Sequence, residues 1–243
     1  MAKRPFGESD AMVDLLTLTR GLETYVAKGA FRSRRRLVGG LEPFTRAEFT
    51  VYQSRPGKLP MMQDLKVLVT RFELYRDLDV FTRLTDVSMF LVQNLPPGVP
   101  EYETCELFDA LLCAVSAGGR CESLVLSFYL RVFGAMGWRL DVGACARCKQ
   151  LPASPGEYEI DFPDGKMFCP ACAAQSATAN SERARLTLEQ ARCLSHLILP
   201  PRLKPGIAID AAAEADIRKL IDRYLLWHTG SDLPGRPLAS RTV

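Results

Sequence analysis

The stretch TRAEFTVYQ, residues 45–53, alternates between apolar and polar side chains. The residues predicted to face inward are Ala47, Phe49 and Val51, and their neighbours Glu48, Thr50 and Tyr52 are predicted to face outward. A period of two residues is typical of a strand with one buried face. This stretch therefore predicts a half-buried β-strand, and the residues around it indicate which kind of sheet it joins.

Three further segments on either side are rich in strand-forming residues. They are AMVDLLTL (11–18), ETYVAKG (23–29) and DLKVLVTRF (64–72), with Arg20-Gly21 as the turn between the first two. Four or five short strands in so short a stretch favour a small closed barrel, and the OB-fold is the natural candidate. Periodicity alone does not separate an OB-fold from other small barrels. We predict an OB-fold domain over residues 1–78.

From about residue 80 the apolar period becomes that of helices. The predicted helices are residues 82–95, 103–117, 122–137, 186–199 and 213–229. The helix at 122–137 is apolar almost all round, which predicts a central buried position. Thr187 and Gln190 occupy the capping-box positions before the fourth helix, and Gly230 is expected to end the fifth. The predicted fold class is α+β, with a helical domain over residues 79–243.

Four cysteines form two CxxC pairs within this helical domain. Cys145, Cys148, Cys169 and Cys172 follow the pattern C-x2-C-x20-C-x2-C, which is typical of a zinc site. A catalytic zinc keeps one position open for water, whereas four cysteine ligands close the shell. We therefore predict one structural Zn²⁺ per chain in a zinc ribbon at about 143–176, and no catalytic residues.

Composition excludes several classes of protein. Apolar residues make up 47% and charged residues 24% of the 243 residues, which is typical of a globular protein. No apolar run reaches 18 residues, and the N-terminal MAKRPFGESD lacks the apolar core of a signal peptide. We expect a cytoplasmic protein with no membrane association, in which eight cysteines stay reduced.

Positive charge is concentrated in the predicted barrel. Residues 1–80 contain 14 Lys and Arg against 10 Asp and Glu, while residues 81–243 contain 17 against 18. The basic segment KGAFRSRRRLVGG (28–40) has five cations and no acid: Lys28, Arg32, Arg34, Arg35 and Arg36. A basic loop on a small barrel is the expected footprint of nucleic-acid binding, because phosphates bind such a surface and release counterions.

Aromatic residues near the basic segment offer a second kind of contact with nucleic acid. Tyr25, Phe31 and Tyr52 could stack on bases. The alternative is that the cations form a solvated loop and the aromatic side chains belong to the barrel core.

Several motifs in a fixed order carry a family resemblance across nearly the whole chain. They are RPFGESD (4–10), VAKGAFRSRRRLVGGLEPF (26–44), SFYLRVFGAMGW (127–138), the two CxxC pairs and PLASR (237–241). Together they resemble the bacterial recombination mediator RecO family. Members usually have more than three residues before the first motif, so either the start is assigned late or the first strand is short.

The resemblance implies an N-terminal OB domain, a helical body and an inserted four-cysteine zinc ribbon. It also implies a nucleoid-associated factor that binds single- and double-stranded DNA and anneals complementary strands. With RecR it would help load RecA onto strands coated with single-strand binding protein, in a pathway that also involves RecF. No enzymatic activity is implied, which agrees with the lack of a G-x-x-x-x-G-K-[ST] loop or a paired-carboxylate metal motif.

The resemblance further implies that the helical body captures the acidic, apolar C-terminal tail of single-strand binding protein. Such a pocket needs a cation for the terminal carboxylate, and Arg131 in the apolar helix is a candidate. The alternative is that Arg131 pairs with an acid such as Glu122 or Asp109. A different function for the whole chain also stays open, namely a zinc-ribbon adaptor that binds proteins and has no direct DNA role.

Overall fold

The computed structural model describes residues 2–32, 37, 39–52, 57–175 and 182–230. The chain divides into two compact units, residues 1–106 and 107–243. The first unit is a five-stranded sheet followed by helix, and the second is helical with a small three-stranded sheet. The chain is therefore a mixed α+β protein, as the sequence predicts.

The first unit contains five strands, a short 3-10 helix and a long helix. Their bounds are β1 Ala2–Phe6, β2 Asp10–Thr17, β3 Gly21–Ala27, β4 Arg46–Tyr52, β5 Met61–Val69, the 3-10 helix Phe72–Tyr75 and α1 Leu78–Asn94. Periodicity predicted β2 to β5 within a few residues. It did not predict β1, whose five residues pair antiparallel with β2.

The strand order of this sheet is β1-β2-β3-β5-β4. Strands β3 and β5 are parallel neighbours, with Val26 opposite Met61, and the other pairs are antiparallel. A five-stranded sheet with this kind of crossover is compatible with the Greek-key barrel of an OB-fold. In the described residues β1 and β4 are the two edges of the sheet, so a sheet rather than a closed barrel is what the structure establishes.

The inner face of the sheet forms the core of the first unit. Its fully buried members are Ala11, Val13, Tyr25, Ala27, Leu37 and Met62. Phe49 and Val51 pack against this cluster, while Glu48 and Thr50 of the same strand are exposed. The alternation predicted for this stretch is therefore confirmed over β4, Arg46–Tyr52.

The turn between β2 and β3 requires glycine at position 21. Gly21 has φ +62°, and a Cβ there would lie 1.7 Å from the carbonyl oxygen of Val99. The neighbouring Leu22 carbonyl accepts a 2.9 Å hydrogen bond from Gly98 N–H. The predicted turn at Arg20-Gly21 is confirmed, and close approach of a second chain segment explains why no side chain fits there.

The second unit contains most of the helices and the small sheet. The elements that complete the chain are α2 Tyr102–Ser116, α3 Cys121–Ala135, β6 Tyr158–Asp161, β7 Lys166–Phe168, α4 Pro170–Ala173, β8 Arg183–Leu186, α5 Leu188–Ile198 and α6 Ala211–Thr229. The division between the units falls within α2. The small sheet has the order β7-β6-β8 and is antiparallel throughout.

Helix α3 lies at the centre of the second unit and packs against α5 and α6. Every residue from Ser123 to Leu130 is buried. The two buried serine hydroxyls on this helix are satisfied, since Ser127 donates to the Leu197 carbonyl at 2.6 Å and Ser123 donates to the Glu214 carboxylate at 2.6 Å. The predicted central buried helix is confirmed.

Candidate metal centre and nucleic-acid interface

The four cysteines of the two CxxC pairs meet at one point of the second unit. The Sγ atoms of Cys145, Cys148, Cys169 and Cys172 all lie within 4.8 Å of one another. The Cys148 and Cys169 sulfurs are 3.8 Å apart. With Zn–S bonds of about 2.3 Å, the edge of a tetrahedral sulfur shell is also about 3.8 Å, so the cluster has the size of a zinc site.

The first pair sits in a tight turn that we call the first knuckle, residues 145–150. Cys145 N–H donates to the Gln150 carbonyl at 2.9 Å, and Lys149 N–H donates to the Cys145 carbonyl at 2.9 Å. Lys149 has φ +62°, a conformation that costs energy for a residue with a side chain. These contacts fix the turn that directs both thiols to the same side.

The second pair is held by the start of α4, in a turn that we call the second knuckle, residues 169–172. Cys169 precedes the helix and Pro170 is its first residue, while Cys172 N–H donates to the Cys169 carbonyl at 3.0 Å. The two knuckles are also joined to each other. Ala146 N–H donates to the Met167 carbonyl at 2.7 Å, and Cys169 N–H points at the Cys145 sulfur at 3.3 Å.

Electrostatics in the cluster favour a bound cation. Burial disfavours a thiolate at Cys145, but backbone N–H groups of Cys148, Cys169 and Arg147 outweigh it and lower the pKa to about 6. Contact with the Cys169 thiol is the largest cause that raises the pKa of Cys172 to about 12. Thiols this close resist ionising together because their thiolates repel one another, and a bound dication offsets that repulsion.

The donor set fits a structural zinc ion. Four thiols in a tetrahedral arrangement are the ligands that Zn²⁺ prefers in closed structural sites, and they would hold it without an open position for water. Neither histidine belongs to the cluster among the described residues, since His196 is exposed on α5 and His228 packs against Trp138 and Tyr224. Bound there, the ion would hold the two knuckles together.

The basic segment begins directly after β3. Lys28 and Arg32 are exposed, and Arg34, Arg35 and Arg36 lie outside the described residues. The start of the segment is anchored on the β1–β2 turn, because Gly29 N–H donates to Asp10 Oδ1 at 2.8 Å and Phe31 N–H donates to the Ser9 carbonyl at 3.0 Å. Motif reasoning missed this anchor, since Asp10 carries no signal of a contact 19 residues away.

The first ion pair of the basic segment is weak. Arg32 lies 3.8 Å from Glu8, and both side chains are largely exposed. A pair in this setting contributes little to stability, so a phosphate can displace the carboxylate at small cost.

The three aromatic residues near the basic segment separate into two groups. Tyr25 is 1% exposed and packs edge-to-face on Phe49, so it belongs to the core. Phe31 and Tyr52 are 53% and 49% exposed. The stacking role considered for Tyr25 is therefore wrong, while Phe31 and Tyr52 present open ring faces next to solvent.

Arg131 occupies a half-buried position on α3. Its Nη2 atom donates to the carbonyl oxygens of Leu197, Ile198 and Pro200 at 3.2, 3.2 and 2.6 Å. These carbonyls end α5, and burial lowers the pKa of the guanidinium. Of the two acids considered as its partner, Glu122 pairs with Arg218 at 2.5 Å, and no ion pair joins Arg131 to Asp109 in the described residues. Arg131 therefore caps the C-terminus of α5.

Comparison with known families identifies the chain. The family model described as recombination protein O N terminal matches residues 1–71, and the model described as recombination protein O C terminal matches residues 76–237. The chain belongs to the recombination protein O family. The resemblance seen in the ordered sequence motifs is confirmed.

Curated relatives within the recombination protein O family are similar over almost the full chain. The DNA repair protein RecO of Anaeromyxobacter sp. (strain K) is 29% identical over 239 residues, which cover 95% of this chain and 89% of the relative. The DNA repair protein RecO of Myxococcus xanthus (strain DK1622) is 25% identical over 232 residues, covering 94% and 89%. Among the described residues, no helix is both long and apolar enough to cross a bilayer.

Proposed function

We propose that this chain is a DNA-binding mediator of recombinational repair that anneals complementary strands and has no catalytic centre. Its relatives carry the name DNA repair protein RecO. The observation that supports direct DNA binding is the exposed start of the basic segment, where Lys28 and Arg32 flank the open ring of Phe31. Cations beside an exposed aromatic ring are the combination that holds a single strand.

A protein can promote annealing by neutralising the phosphate charge of the strands, and it does not need to read their sequence. Two complementary strands repel each other through their phosphates, and a cationic surface reduces that repulsion so that bases can test pairing. Guanidinium groups bind phosphate in a fork and stack on bases of any kind. The five cations of the basic segment suit this task.

The partners proposed for this activity are RecR, the C-terminal tail of single-strand binding protein and, through them, RecA and RecF. In this proposal the zinc ribbon is a structural part of the C-terminal unit, and the protein works in the cytoplasm on the nucleoid. The competing function is an adaptor that binds only proteins.

A salt titration separates DNA binding from the adaptor function. We would measure the affinity for a labelled oligo-dT strand by fluorescence anisotropy between about 50 and 200 mM salt. Replacing Arg34, Arg35 and Arg36 by Ala should weaken binding and flatten the slope of log affinity against log salt by roughly 0.7 per lost phosphate contact.

The matched control removes three cations that are already paired with carboxylates. Arg185, Lys219 and Arg223 are exposed and pair with Glu157, Asp216 and Glu182 at 3.6, 3.0 and 3.4 Å. Their triple alanine variant loses the same net charge and should keep the wild-type slope. If the arginine variant folds, binds and anneals like the wild type, the basic segment is passive and the adaptor function gains.

A further inference from the structure

Two stretches of the C-terminal unit contain cations but no carboxylates. Residues 142–156 include Arg147 and Lys149 and no Asp or Glu, and residues 190–209 include Arg192, Arg202 and Lys204 and no Asp or Glu. The second knuckle and the small sheet separate the two stretches along the chain. Their shared lack of carboxylates therefore does not come from their being neighbours in sequence.

The fold places these two stretches side by side. Ser195 Oγ donates to the Val142 carbonyl at 3.0 Å, and Arg192 Nε donates to the Pro152 carbonyl at 3.2 Å. The first knuckle is thus anchored to α5 on both sides. Its tip at Arg147 is five residues from either anchor, which limits its distance from α5 to about 17 Å.

The exposed residues of these two adjoining stretches are what we call the knuckle strip. It consists of Arg147, Lys149, Arg192 and His196, with Leu151 and Leu199 at its ends. All six are exposed. Arg192 and His196 are four residues apart on α5, so they share one helix face about 6 Å apart along the axis.

In the described part of this unit, the Lys and Arg side chains of the knuckle strip lack acidic partners, as Arg139, Arg202 and Lys204 also do. Among the described residues of this unit, seven Lys and Arg side chains pair with carboxylates: Arg120, Lys166, Arg183, Arg185, Arg218, Lys219 and Arg223. Within the same part of the chain, Arg147, Lys149 and Arg192 make no ion pair. A run of unpaired cations is a site for an external anion.

The arrangement fits a polyanion better than an acidic peptide. A peptide tail with one terminal carboxylate needs a continuous apolar floor beside a converging set of cations. Here Leu151 lies next to the Pro152 anchor of Arg192, and Leu199 is seven residues further along α5, about 10 Å away along the axis. The cations are distributed over two chain segments, the first knuckle and α5, and do not converge on one point of a single segment, which suits a chain of phosphates.

We propose that the knuckle strip is a second DNA-contact surface, which holds the sugar-phosphate backbone of a strand on the C-terminal unit. This inference rests on the proposed DNA-binding function. It assigns to the predicted zinc ribbon a part in DNA binding beyond stability, because a metal held by the four thiols would further fix the turn that carries Arg147 and Lys149. Two separate cationic surfaces on one chain would each hold a strand.

The test compares the strip variant, the paired-cation control and the arginine variant of residues 34–36 in the same oligo-dT titration. The strip variant replaces Arg147, Lys149 and Arg192 by Ala, and the control again replaces the paired cations Arg185, Lys219 and Arg223. The strip variant should bind the DNA strand at least about 10-fold more weakly at low salt. Its slope of log affinity against log salt should be flatter by up to about 2. Zinc content and circular dichroism should match the wild type.

The outcomes distinguish the inference from the proposed function. If the wild type does not bind DNA, the proposed function fails. If the arginine variant of residues 34–36 loses affinity while the strip variant matches its control, only the inference is overturned. Loss of zinc from the strip variant with an unchanged slope would mean that Arg147 and Lys149 only balance the thiolates. The inference would also be overturned if an acidic peptide bound the wild type but not the strip variant, while the strip variant still bound DNA like the wild type.

Discussion

At the scale of single residues, Arg131 shows how a functional candidate can have a structural role. A cation in an apolar helix suggests a ligand, and the same guanidinium satisfies three carbonyls at the end of α5. Helix ends leave four carbonyls without intrahelical partners, and buried ones need a donor. The sequence cannot reveal this contact, because the two partners are 66 to 69 residues apart.

Replacing Arg131 by Ala should therefore destabilise the C-terminal unit whether or not the residue binds a peptide. The expected loss is about 1–2 kcal/mol, since water can reach some of the freed carbonyls. Urea denaturation measures it, and Arg139→Ala, an exposed arginine after α3, is the control and should change little. A wild-type midpoint for Arg131→Ala would contradict the capping role.

Peptide binding tests the other role of Arg131 separately. If the residue also holds a terminal carboxylate, Arg131→Ala should weaken binding of a tail peptide from single-strand binding protein by more than its effect on stability explains. Equal affinity for wild type and variant would remove this residue from the proposed tail site.

At the scale of elements, the helix ends were predicted most accurately where the side chains that define them lie close together in sequence. The capping box of α5 is present as predicted: Gln190 N–H donates to Thr187 Oγ1 at 3.2 Å, and Thr187 N–H donates to Gln190 Oε1 at 2.9 Å. Gly230 ends α6 in the left-handed conformation. The start of α1 was placed four residues late, although Asp77 caps it by accepting hydrogen bonds from Asp79 and Val80.

Thr187→Ala should lower the free energy of unfolding by about 1 kcal/mol, because the Gln190 N–H group in the first turn loses its side-chain acceptor while the Gln190 side chain keeps its bond to residue 187. Thermal or urea unfolding followed by circular dichroism measures the change. Thr82→Ala, at an exposed position inside α1, removes the same atoms without a cap and should stay within about 0.5 kcal/mol of the wild type. Equal effects of both variants would show that the capping box contributes nothing.

At the scale of the whole molecule, what could be predicted depended on how far apart the interacting residues are. Periodicity found most strands and helices, and the CxxC spacing found the metal cluster, because both signals are contained in short windows. The parallel pairing of β3 with β5 and the contact of the first knuckle with α5 join segments far apart in sequence. A single sequence carries no local pattern for such contacts, so the order of the sheet and the knuckle strip emerged only from the structure.

Removing the metal should affect the two units differently. The contacts between the knuckles run through Ala146, Met167 and Cys169, and they depend on four thiols that repel one another once ionised. Metal binding and local folding are coupled in such sites, so Cys148→Ser or chelation of zinc should cost several kcal/mol within the ribbon. The sheet of the first unit contains none of the cluster's ligands and has its own core around Val13 and Tyr25.

Hydrogen exchange read by mass spectrometry measures this difference in one experiment. After treatment with a chelator, amides of residues 143–172 should exchange much faster, while amides of β2 and β3 keep their protection. Metal analysis of the untreated protein should give one zinc per chain, and Cys113→Ser, which removes an exposed thiol outside the cluster, should retain it. If the ribbon amides exchange at the same rate with and without metal, or if the purified protein holds no zinc and its four thiols react freely, the cluster is not a structural metal site.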